Sequence, residues 1–194
     1  MGITVEILGL AILLGVHAFV TMRDRRAALI AKIGEWPYRG LFSLVSIAGI
    51  VLIGYGFAHY RAAGPVAVWY PPIWTRHIVE ALMWPASIMI VAAYIPGNIK
   101  RVLKHPMLAG IKTWAFAHLC ANGDLGGIIL FGSVLAWAVY DRITLKRRSD
   151  SGAPPIPAGG AKNDIIAVVV GTIVYLALGF VFHPVVIGVP AFGP

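Results

Sequence analysis

The chain has 194 residues, a formal net charge of +8, and 59% hydrophobic residues against 12% charged ones. Soluble domains carry about 45–50% apolar and about 25% charged residues, so neither a water-soluble globule nor a disordered chain fits this composition. The single cysteine, Cys120, excludes an internal disulfide framework and a four-thiolate zinc site, and an integral membrane protein is the class that is left.

A helix needs about 20 mostly apolar residues to cross a bilayer. Six stretches qualify or nearly do: Ile3 to Met22, with Glu6 its one charged residue; Leu41 to Tyr60; Ile78 to Ile95, ended by Pro96-Gly97-Asn98; Met107 to Ala121, short and carrying Lys112; Leu125 to Tyr140; and Ile165 to about Phe182. A membrane barrel would alternate apolar and polar residues, which these runs do not. The sequence therefore predicts an all-α integral membrane protein, a bundle of about six transmembrane helices. Its core spans 1–146, a linker rich in Ser, Gly, Ala and Pro spans 147–163, and a C-terminal helix and tail span 164–194. The first stretch has no basic residue before it and no clear small-x-small cleavage site, so it reads as retained.

Lysine and arginine set the orientation. Fourteen of the sixteen fall in three segments on one side: Arg23, Arg25, Arg26, Lys32 and Arg39; Lys100, Arg101, Lys104 and Lys112; Arg142, Lys146, Arg147, Arg148 and Lys162. Arg61 and Arg76 alone lie opposite. The basic side is expected to be cytoplasmic, with both termini on the outer, periplasmic side. The positive charge is then a topology signal whose partners are the lipid bilayer and anionic headgroups on the cytoplasmic face, not nucleic acid. The outer loop Gly64 to Thr75, with Trp69, Tyr70 and Trp74, suits an aromatic interfacial cap.

Ionisable residues within spans mark sites by default. Six histidines stand out. His59, His77, His105 and His183 lie at span ends, where capping or snorkelling competes with chemistry. His17 and His118 are embedded in apolar sequence, His17 beside Leu13, Leu14, Val16 and Phe19, and His118 beside Trp114, Phe116 and Leu119. Two readings compete for them: hydrogen bonds to a neighbouring helix, or axial ligation of haem iron by one imidazole from each of two helices. Neither has a second histidine at i+3 or i+4, which suits haem better than a compact zinc or di-iron cage. His77 and Glu80 share a helical face at i, i+3, and Glu80 fits the first turn of its helix. Asn122-Gly123-Asp124 reads as a tight hairpin with Asp124 capping the fifth span. His105 precedes Pro106 and is expected just outside the helix that the proline opens.

The run from His105 to Asp124, HPMLAGIKTWAFAHLCANGD, resembles the signature of the NnrU family. So do Trp74-Thr-Arg-His77, Ala92-Ala-Tyr-Ile-Pro-Gly-Asn98, Phe131-Gly132 and Ala136-Trp137-Ala138, in order along nearly the whole chain. The resemblance implies a bacterial inner-membrane protein linked to nitrite and nitric oxide metabolism in denitrification. The family is similar in turn to ζ-carotene isomerase, an integral membrane haem b protein that isomerises a cis double bond when its iron is ferrous. By motif, His17 with Arg23 downstream and His118 preceded by Trp114 correspond to the two iron ligands of that enzyme, and Ala115 stands where it has a cysteine.

The resemblance thus implies haem b as cofactor, His17 and His118 as its metal ligands, and Trp114 beside the second of them; His77, on the face it shares with Glu80, is a further cofactor-binding candidate, beside the ligands or as a competing one. One tension arises from depth. With alternating span directions, His17 lies past the middle of its span toward the cytoplasm and His118 past the middle of its span toward the outside. At about 1.5 Å per residue the two differ by roughly 10 Å. His77 or His59, on the outer side, is the alternative partner for His118. Two functions compete: a haem b membrane protein with isomerase-like or oxidoreductase chemistry on a lipophilic substrate, and a non-enzymatic membrane protein serving assembly, sensing or transport in nitrogen-oxide metabolism. A membrane methyltransferase, which opens a helix with Arg-His-Pro, is disfavoured by Lys104 before His105.

Overall fold

A computed structural model describes residues 1–147 and 159–192. In chain order the helices are α1 (Gly2–Thr21), α2 (Arg23–Ile33), α3 (Glu35–Ala62), α4 (Thr75–Ala92), α5 (Asn98–Leu103), α6 (Pro106–Ala121), α7 (Leu125–Lys146) and α8 (Ala161–Ala177), which continues as a π-helix over Leu178–Ile187. Most of the linker expected at 147–163 lies outside the described residues.

Among the described residues, four helices are long and apolar enough to cross a membrane: α1, α3, α7, and α8 with its π-helical extension. The sequence predicts six. The difference has a physical basis in α4 and α6. The 18 residues of α4 include Arg76 and Glu80, and α6 has 16 residues. At about 1.5 Å per residue, 16 residues reach roughly 24 Å, short of a hydrocarbon core of about 30 Å. Boundaries shift as well. α3 begins at Glu35 rather than Leu41, because Glu35 pairs with Arg39 at 2.6 Å and Pro37 suits a first turn. α2, basic and fully outside the apolar runs, is a helix that hydropathy alone does not reveal.

The helices sort into two compact units. Met1–Tyr70 with Asn122–Arg147 holds α1, α2, α3 and α7. Its centre is the antiparallel pair α1 and α3, with α7 against α1. Gly2 and Gly9 on α1 meet Gly56 and Gly49 on α3, each pair seven residues apart and so on one helical face. A Cβ on Gly9 would stand 2.6 Å from the Ile53 nitrogen, and one on Gly56 would strike the Glu6 backbone nitrogen. Hydrophobicity cannot distinguish helix contact from lipid contact, so close backbone approach through small residues is what holds such a pair. The outer surface is correspondingly apolar: Leu44, Ile47, Ile50 and Val51 are all exposed.

The hairpin into α7 forms as predicted. Asp124 Oδ1 accepts from Gly127 N at 2.9 Å, capping the helix. The preceding loop is strapped to this turn. Val68 N and Trp69 N donate to Gly123 O at 2.8 and 3.0 Å, and Leu125 N donates to Val66 O at 2.9 Å. Trp69 and Tyr70 remain exposed there, as an interfacial cap requires.

The described part of the second unit holds α4, α5, α6 and α8, with α6 and α8 both against α4. Gly110 lets α6 approach Ala86 and Ile90, and Gly171 lets α8 approach Ile88. Polar bonds complete the contact: Trp84 Nε1 donates to Thr172 Oγ1 at 3.0 Å, and Tyr175 Oη donates to the Glu80 carbonyl at 3.1 Å. The first turn of α8 fastens the Pro96-Gly97-Asn98 turn. Asp164 accepts from Ile99 N at 2.9 Å and from Asn98 Nδ2 at 2.8 Å, and Asn163 Nδ2 donates to Pro96 O at 2.6 Å. Asp164 thereby caps α5 from another helix. Hydrogen bonds to a charged group contribute about 1.5–3 kcal/mol each, so Asp164→Ala is expected to lower thermal stability in detergent by about 2 kcal/mol or more. A shift within error of wild type in a thermal unfolding series would contradict that role.

Candidate functional site

His17 sits near the C-terminal end of α1 in the first unit. Its Nδ1 is 2.8 Å from the Leu13 carbonyl. A carbonyl only accepts, so Nδ1 is the donor. Phe42 of α3 lies 5.0 Å away between ring centroids, and Trp137 of α7 stands edge-on at 5.4 Å. The Trp137 Nε1 and the Tyr38 hydroxyl are both buried, and neither has a hydrogen-bond partner among the described residues. Tyr38 is 6.4 Å from Phe42, and the Arg26 guanidinium lies 5.5 Å over its ring. Two orphaned donors cost about 1–3 kcal/mol each, so this aromatic cluster is suited to a further hydrogen-bond acceptor.

His118 lies on α6 in the second unit and repeats the local device. Its Nδ1 is 2.9 Å from the Trp114 carbonyl, one turn back, and its ring is 5.0 Å from the Trp114 ring. Again Nδ1 is the donor. Ligand histidines commonly donate the other ring N–H to a carbonyl, which fixes the tautomer and orients the ring. Ala115 and Ala117 beside it are fully buried. The His183 ring is 6.2 Å from that of His118, tilted by 35°. His183 is carried on the π-helical turns, which include Pro184 and end at Gly188 with φ +74°. π-helical turns are frequent at functional sites.

The other histidines are placed differently. His77 is 80% exposed at its side chain, with Nδ1 3.9 Å from Glu80 Oε2, so the expected i, i+3 relation holds. His59 is exposed beside Tyr55, and it belongs to the first unit rather than to that of His118. His105 precedes α6, and its carbonyl accepts from Ala109 N at 3.1 Å. Among the described residues no three His, Cys, Asp or Glu side chains gather as a metal cluster. What the structure offers is single imidazoles, each tethered through Nδ1, and one histidine pair.

Sequence reasoning missed three participants. Tyr38 and Trp137 become visible only once α3 and α7 are placed around His17, although Trp137 falls in one of the family-like motifs. His183 reads as the polar end of a span until the fold brings it to His118.

A family model described as NnrU protein matches residues 5–191. The chain belongs to the NnrU family. The match spans both units, so the His17 cluster and the His118–His183 pair are both parts of one NnrU chain. No match was found among curated proteins or among solved structures.

Proposed function

We propose that this NnrU protein is a multi-pass protein of the bacterial inner membrane that binds haem b, with the imidazoles of His17 and His118 as iron ligands. The observation that carries the reading is the shared tether. Each histidine is embedded in an apolar helix and held by an Nδ1–H bond to the carbonyl four residues back, the tether that commonly orients a ligand imidazole. The residues around His17 fit the group further. An indole N–H and a phenol O–H lie buried without partners among the described residues, and an arginine is nearby, which is the chemistry that accepts a porphyrin carboxylate.

In this reading α4 and α6 complete six crossings, with both termini on the outer side. The arginine- and lysine-rich segments, α2 among them, face anionic lipid at the cytoplasmic surface. Ferrous haem would supply iron-based chemistry toward a lipophilic or nitrogen-oxide substrate, in an isomerase-like or oxidoreductase role. The chain's own part is to hold the imidazoles, to exclude water with Phe42, Trp137 and Trp114, and to donate from Trp137 and Tyr38. His183 gives His118 a second imidazole within its own unit and is the alternative ligand to His17.

Purification from haem-replete cells, followed by pyridine haemochrome analysis, tests the reading. Protohaem is expected to copurify in about equal amount to the chain. A folded, colourless protein would instead favour the non-enzymatic role in assembly, sensing or transport.

A further inference from the structure

α1 carries one acid, Glu6. Its side chain is 0% exposed, and neither carboxyl oxygen has a hydrogen-bond partner among the described residues. The surroundings are tightly drawn. The Glu6 backbone is pressed on Gly56 of α3, and its Oε2 lies 3.2 Å from where a Cβ would stand on Gly126 of α7. The Tyr60 ring lies 2.5 Å from that same point. The Tyr60 hydroxyl is engaged elsewhere, accepting from Val66 N at 2.8 Å. The Asp124 carboxylate, at the start of α7, is held on Gly127, the residue next to Gly126. On α3, His59 is exposed, and Arg61 is also exposed, with its guanidinium 5.7 Å from the Phe57 ring.

Magnitudes decide the state of this carboxyl. An ionised group buried without a counter-ion costs several kcal/mol, and a second carboxylate nearby adds repulsion. A neutral carboxyl without partners costs about 1–3 kcal/mol. A metal cation is no remedy, because hard cations take about six or more oxygens and one carboxyl supplies two. We propose that Glu6 is an intramembrane proton-binding site, a carboxyl enclosed by the glycine-lined contact of α1, α3 and α7. The site is independent of haem.

Infrared spectroscopy of the full chain in lipid nanodiscs at neutral pH tests this. The expected result is a carboxylic C=O band that shifts when glutamate is labelled with 13C and is lost in Glu6→Gln, an uncharged near-isostere. Should Glu6→Gln fail to fold, the other two glutamates decide by elimination: Glu35→Gln and Glu80→Gln must each retain the labelled band. A wild-type spectrum with no protonated glutamate, or a band that survives in Glu6→Gln, overturns the proposal. Loss of the band on adding sodium or calcium chloride also overturns it, by making the ligand a metal cation.

Discussion

Gly56→Leu is expected to prevent stable folding of the α1–α3 pair. A Cβ at this position already meets the Glu6 backbone, with Gly2 O and Glu6 Cα both at 2.8 Å, and backbone cannot move aside as a flexible side chain can. Overpacking costs about 1–3 kcal/mol where side chains give way, so a clash against main chain belongs at or above the upper end. The loss would appear as aggregation during detergent extraction, or as a large fall in the thermal midpoint. Gly54→Leu, on the same helix two residues away, is the control: nothing lies within 4 Å of its Cβ position, and wild-type behaviour is expected. Equal damage at both positions would show that helix propensity, not close approach, explains the effect.

The second large effect is expected at the histidines. His17→Ala and His118→Ala should each reduce haem content at least tenfold, read as the Soret absorbance per chain, since second-sphere changes alone commonly cost about 10–100-fold in metal affinity. His183→Ala discriminates between the two ligand sets. Retention of the wild-type spectrum in His183→Ala, with loss in His17→Ala, supports the His17 and His118 set. The reverse pattern would assign the ligands to the 6.2 Å pair of the second unit. His77→Ala is expected to leave the Soret band unchanged, because that side chain is 80% exposed.

How far the sequence was legible follows from what each signal encodes. Long apolar runs specify helices directly, so α1 and α7 begin within a residue of their predicted starts. The Asp124 cap is local chemistry, and it too was readable. Hydropathy does not resolve α2, whose arginines mask a helix, nor does it locate the ends of α3, whose first turn is polar. Side-chain neighbours are still less legible. The tethers of His17 and His118 are contacts within one helix, and spacing alone permits them. The orphaned Trp137 and Tyr38 donors, the approach of His183 and the enclosure of Glu6 are contacts between helices, which no local pattern records. Gly49 and Gly56, opposite Gly2 and Gly9, did carry a seven-residue signal for the α1–α3 contact.

Electron paramagnetic resonance of the purified ferric protein tests the central claim most directly. Two imidazoles on one iron predict a low-spin ferric signal that is lost when His118 is replaced by alanine. A high-spin signal indifferent to that replacement, or a folded protein with no haem signal at all, would contradict the account.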